Sequence, residues 1–224
     1  MSQKKKKSKF AEKIEKLRKS VIFQAVLLGA FTLVASTMLS TSDLETRDAI
    51  KLRAEEDLKA SIEQVVSLDL HDNDLLKSIM YLAGEDEELT TVYQATKGGV
   101  VTALAFTVSS YGYGGKITAI MALDAVGKVL GVRVLSHTET PGLGDKIEIQ
   151  KDDWVLSFNG LSLGMPSEDK WAVKKDGGRF DEFSGATITP RAVVKAVKSG
   201  LMFFARHKEK LLTPLRAKKE EAAK

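Results

Sequence analysis

The chain is 224 residues long, 43% hydrophobic and 29% charged, with a formal net charge of +4, which is enough apolar material for one core plus further segments. It has no cysteine, which excludes disulfides, thiolate-held iron–sulfur clusters and a cysteine nucleophile and leaves the redox compartment open. Its three histidines, His71, His137 and His207, stand far apart, so a histidine-rich zinc site is not expected and no metal ligand is assigned.

Residues 1–19 hold nine Lys or Arg against two Glu. The positive charge therefore belongs to the N-terminus, and the rest of the chain is slightly acidic. Neither aromatic interleaving nor a recognition fold accompanies the lysines, so nucleic acid is not an expected partner. A basic tail drawn to anionic lipid accounts for them instead.

The next stretch, Val21 to Leu39, reads VIFQAVLLGAFTLVASTML and carries no charge. Nineteen residues at helical rise span roughly 28 Å, close to the hydrocarbon thickness of a bilayer. Lysines precede it, and Asp43 and Glu45 follow. The positive-inside rule then puts the N-terminus in the cytoplasm and the remainder outside. A cleaved signal peptide is the alternative, with Val34-Ala35-Ser36 as a weak cleavage site, but the apolar run continues past it. Residues 42–66 are polar, with Leu, Ile and Ala at helical spacing, and Ser42 with Glu45 resembles a capping box; a second, amphipathic helix is expected there. Residues 67–90 are acidic but lack the spacing of a calcium loop, so they read as a solvated connection.

From Thr91 the pattern changes to VYQAT, VVTALAFTVS, KITAIMALDA and KVLGVRVLSH. These β-rich runs are separated by Lys97-Gly98-Gly99, Tyr111–Gly115 and Gly127, which predicts strands joined by turns, with a hairpin connection at Asp124–Lys128. As a nucleotide motif, Gly112–Gly115 is weak, lacking a strand-to-helix context and a terminal Lys. His137-Thr138-Glu139-Thr140-Pro141-Gly142-Leu143-Gly144-Asp145-Lys146 follows, rich in hydrogen-bonding groups and permissive backbone. His137 and Glu139 would share a face of an extended segment, although Pro-Gly is also an ordinary turn. Trp154 suits either a core position or stacking on a planar ring. Residues 190–212 predict a helix with Val193, Val194, Val197, Leu201 and Phe204 on its apolar side. Thr189 is its natural N-cap, with Pro190 at the first helical position. Ser184-Gly185-Ala186-Thr187 therefore delivers the chain to a helix N-terminus, where free N–H groups and the dipole favour phosphate. A plain capped helix start is the competing reading.

Two segments carry a family resemblance. Asp181-Glu182-Phe183-Ser184-Gly185-Ala186-Thr187 resembles the flavinylation motif of the FMN-binding domain found in the C subunit of sodium-translocating NADH:quinone reductase and the G subunit of the Rnf electron-transport complex. The 137–148 segment, HTETPGLGDKIE, is similar to that family's flavin-side loop. The Gly-Asp-Lys ending, with Asp153-Trp154 beyond it, looks more like the Rnf G subunit. The single N-terminal span fits as well.

The resemblance implies an α+β fold: one transmembrane helix followed by an extracytoplasmic mixed α/β FMN-binding domain. The expected organisation is a cytoplasmic basic tail (1–20), a transmembrane helix (21–40), an amphipathic helix and connecting segment (41–90), the FMN-binding domain (91–212) and a polar C-terminal tail (213–224). FMN would be joined through its phosphate to Thr187 by a flavin transferase using FAD and magnesium. Ser184, Gly185, Ala186, His137, Glu139, Thr140, Leu143 and Gly144 would complete the site. The Tyr111–Gly115 segment is assigned no flavin contact. The function implied is electron transfer in an ion-translocating ferredoxin:NAD oxidoreductase of a bacterial cell membrane, alongside the complex's other subunits. This chain would be one carrier, with no catalytic residue of its own. A C-type subunit of the sodium-translocating reductase, or an FMN-bearing sensor or assembly adaptor, is the alternative.

Overall fold

A computed structural model of the chain describes residues 20–83 and 89–215. The basic tail, the acidic run 85–88 and residues 216–224 lie outside the described residues. Helix α1 spans Val21–Val65. Among the described residues it is the one helix long and apolar enough to cross a membrane. Two of its threonine hydroxyls bond back within the helix: Thr37 Oγ1 donates to Leu33 O (2.8 Å) and Thr41 Oγ1 to Thr37 O (2.9 Å). Such back-bonding spares these donors the cost of standing unpaired in a bilayer.

Two helices were expected where there is one. Ser42 caps nothing; its carbonyl accepts from Thr46 Oγ1 at 2.8 Å, and Asp43 pairs with Arg47 one turn on at 3.0 Å. Capping residues mark a helix start only where the preceding backbone leaves the helix, and here the apolar run ahead of them is already helical. The chain divides into two compact units, Met1–Glu55 and Glu56–Lys224.

The second unit is built on a five-stranded antiparallel meander in the order β1 (Ile79–Ala83), β2 (Leu89–Lys97), β3 (Val100–Tyr111), β4 (Lys116–Asp124) and β5 (Val129–Ser136). Strand β1 and the start of β2 fall in the acidic stretch read as a solvated connection, a correction: Ile79–Ala83 pairs residue by residue with β2. The Asp124–Lys128 connection is a tight turn, with Asp124 N donating to Lys128 O at 2.9 Å.

The central strands are apolar on both faces because both faces are covered. Leu104, Phe106, Val108, Met121 and Leu123 pack against Val193, Val197, Leu201 and Phe204 of helix α2 (Ile188–Leu211). The residues between them, Ala103, Ala105 and Ala122, with Ala95, face Ile62 and Val65 at the end of α1. Small side chains on that face let the helix lie close: a Cβ on Gly131 would stand 3.3 Å from the Val65 Cα. Likewise, a Cβ on Gly200 of α2 would stand 2.3 Å from Met121 Sδ. Gln94, fully buried on β2, donates to Leu211 O and Thr213 O and accepts from Leu215 N, each at 2.9 Å. It pairs backbone groups left over at the end of α2.

Candidate functional site

Three segments meet at one end of the sheet. The first is the β3–β4 turn, closed by Gly112 N donating to Gly115 O (2.8 Å), with Tyr113 exposed at its tip. The second is the loop after β5, where Leu143 N and Gly144 N both donate to Thr140 O (3.1 and 3.0 Å). The third is the entry to α2. There Ala186 N donates to Phe183 O (3.0 Å) across a turn whose third residue, Gly185, has φ +80°. A type II turn needs that left-handed position, which favours glycine.

Glu139 joins the three. It is 5% exposed. Its carboxylate accepts from Gly114 N (2.9 Å), from Tyr113 N (3.2 Å) and from the Thr189 hydroxyl. The Thr189 contact corrects the expected N-cap. Helix α2 begins at Ile188, with Thr187 at the cap position, so Thr189 and Pro190 both lie inside the first turn. Pro190 is tolerated there because first-turn N–H groups have no intrahelical acceptor.

Behind Glu139, His137 Nδ1 accepts from the Glu139 N–H (3.1 Å), which leaves the Nε2 proton for Glu148 Oε1 (2.7 Å). Both ring nitrogens are thus used within the protein.

The segments enclose a cleft of about 370 Å³ lined by Tyr113, Glu139, Thr140, Leu143, Gly144, Gly185, Ala186, Thr187, Ile188 and Thr189. Of the residues singled out in the sequence, seven line it: Glu139, Thr140, Leu143, Gly144, Gly185, Ala186 and Thr187. His137 stands behind it. Ser184 opens instead on a neighbouring groove of about 390 Å³ beside Trp154, Asp152 and Asp181. Trp154 is buried, with edge-on contacts to Phe158 and Phe183 at 5.3 and 5.2 Å, and its Nε1 donates to Asp181 O (2.8 Å). It holds the start of the 181–187 loop from beneath. Sequence reasoning missed Tyr113, Ile188 and Thr189. The two glycines around Tyr113 were the available signal, since they let that turn approach another segment.

The cleft is apolar at its mouth and poor in charge. Tyr113 is 74% exposed, Leu143 44% and Ile188 46%. Glu139 is the one charged side chain in the lining, and Lys, Arg and His are absent from it. Thr187 is half-buried, and its hydroxyl makes no capping bond. A Cβ on Gly185 would reach Leu143 Cδ2 at 3.8 Å and otherwise open space.

The sequence profile of the FMN-binding domain family matches residues 112–202, which include all three segments. The G subunit of the ion-translocating oxidoreductase complex from Cereibacter sphaeroides is 54% identical over 198 residues, 88% of this chain and 90% of that one. The corresponding protein of Stutzerimonas stutzeri is 46% identical over 193 residues, 86% and 85% of the two chains. A solved structure of the C subunit of Na+-translocating NADH-quinone reductase from Parabacteroides distasonis aligns with a TM-score of 0.44 at 22% identity, over 64% of this chain and 70% of that one.

Proposed function

The chain belongs to the G-subunit family of ion-translocating oxidoreductase complexes, and on that premise we propose that it is a membrane-anchored electron carrier holding FMN covalently through Thr187. The observation that carries this reading is the state of Thr187. It stands at the first turn of α2 with its hydroxyl unused for capping, at the wall of an apolar cleft. The residues fit the group. First-turn N–H groups of α2 suit a phosphate. Leu143, Ile188 and Tyr113 offer apolar and aromatic surface to a planar ring, and the space beside Gly185 lets that ring approach the backbone.

Covalency answers a property of the same cleft. Its lining supplies no cationic side chain, and it contains the Glu139 carboxylate. A free phosphate dianion would be held by backbone dipoles alone, which are worth about 1 kcal/mol or less at an exposed helix end. A phosphodiester to Thr187 keeps one negative charge and removes the question of retention. Threonine is a poor nucleophile unaided, and His137 is committed to Glu148 and Glu139, so attachment belongs to a separate flavin transferase acting with FAD and magnesium. Bound FMN supplies reversible electron acceptance, and the protein orients and tunes it.

The basic tail before α1 supports a cytoplasmic N-terminus by the positive-inside rule, and hence an FMN domain on the opposite side. There it serves as one carrier of a ferredoxin:NAD oxidoreductase, beside the complex's other subunits. The test is Thr187→Ala in the full chain, expressed with the transferase. Flavin fluorescence in denaturing gels and the FMN mass increment on the Thr187 peptide should both vanish. Fluorescence surviving in that variant refutes the assignment.

A further inference from the structure

Glu139, expected in the flavin's wall, does line the cleft. Its carboxylate also receives three donors, from the β3–β4 turn and from the first turn of α2, while its own N–H is held by His137. The surrounding glycines make room for that convergence. A Cβ on Gly112 would lie 2.4 Å from Glu139 Oε1, one on Gly114 2.0 Å from Thr138 O, and one on Gly144 2.9 Å from both Glu139 Cβ and Thr189 Oγ1. Every group aimed at the carboxylate is a donor, so the position requires an acceptor at both oxygens. An amide has one. Whichever way a glutamine turned, its NH₂ would oppose the N–H of Gly114 or of Tyr113.

We propose that Glu139 is a positioning residue: its buried carboxylate sets the width of the flavin cleft by tying the Tyr113 turn to the start of α2. The role of the cleft rests on the FMN reading above; the tie itself does not. Removing it frees Tyr113, the wall facing Thr187's segment, without touching Thr187.

The experiment uses the full chain in detergent, with Glu139→Gln, Thr189→Val and Thr189→Ser. In protein made without the transferase, amide exchange at Tyr113 and Gly114 should quicken about tenfold or more in Glu139→Gln, since charge-assisted bonds are lost. Thr189→Val should quicken Tyr113 exchange less, and Thr189→Ser, which keeps the hydroxyl, should restore parental exchange. In protein made with the transferase, Glu139→Gln should keep the covalent flavin yet lose much of the flavin's visible circular dichroism, with Thr189→Ser again unchanged. Parental exchange at Tyr113 and Gly114 in Glu139→Gln, or unaltered visible dichroism in its loaded form, overturns the proposal. If Glu139→Gln does not fold, the Thr189→Val and Thr189→Ser pair decides by the same exchange measurement. Covalent flavin missing from the parent chain would count against the FMN reading alone, because the exchange result still judges Glu139.

Discussion

Replacing Gln94 with leucine tests whether the end of α2 depends on a single side chain. Gln94 is fully buried, and its amide makes three 2.9 Å bonds to Leu211 O, Thr213 O and Leu215 N. The bond to Leu211 O is itself buried, and leaving a buried carbonyl unpaired costs about 1–3 kcal/mol. The other two are partly exposed, so water can replace them at a loss of about 0.5 kcal/mol each. Leucine regains part of this, on the order of 1 kcal/mol, through its greater apolar burial. The net expectation is a destabilisation of about 2 kcal/mol. For a chain of this size that lowers the thermal midpoint by roughly 4–8 °C. The assay is a far-ultraviolet thermal melt of the detergent-solubilised full chain, with amide exchange following Thr213 and Leu215. A midpoint within about 1 °C of the parent, with exchange at those two residues unchanged, would show that the bonds contribute nothing.

Two further outcomes follow from the loop leading to Thr187. Trp154→Phe removes the bond to Asp181 O and part of a buried ring; it should cost about 1–3 kcal/mol, read as a lower urea midpoint at unchanged slope. Asp176 receives Arg191 Nε and Nη2 at 2.5 and 2.6 Å, and that hydrogen bonding holds its carboxyl below the ordinary carboxylate range. A depressed pKa contributes stability above the unfolded value that is lost as pH falls through the folded one. The difference in thermal midpoint between parent and Asp176→Asn should therefore shrink as pH drops below about 4; a difference that grows on acidification contradicts the pairing.

Much of the fold was legible because its cues are local. The uncharged run Val21–Leu39 is helical, and the predicted runs from Val92 onward match β2 to β5 within a few residues. Val193, Val194, Val197, Leu201 and Phe204 are all buried on α2. What escaped depends on partners distant in sequence. Strand β1 sits among acidic residues and is only partly buried, so its pairing with β2, rather than its own composition, makes it a strand. The Ser42 and Thr189 signals were sound as capping chemistry but were overridden, one by a helix already running and the other by Glu139. In the site, the loops were legible from their residue types, and the cleft was not. The glycines around Tyr113 marked a turn able to approach another segment but not which one, because 26 residues separate its N–H from the Glu139 carboxylate that holds it.

The sheet's neighbours in space are neighbours in sequence, an arrangement of short closures that can form early in folding. The cleft is of the opposite kind, for the Glu139–Thr189 bond joins residues 50 apart and needs α2 seated on the finished sheet. A folding chain would therefore own its strands before it owned the cleft. Thr187 would be exposed on an undocked helix, with neither Tyr113 nor Glu139 beside it. The cleft is thus the last part of this unit to be completed, and its closure depends on the docking of α2 rather than on the strands alone.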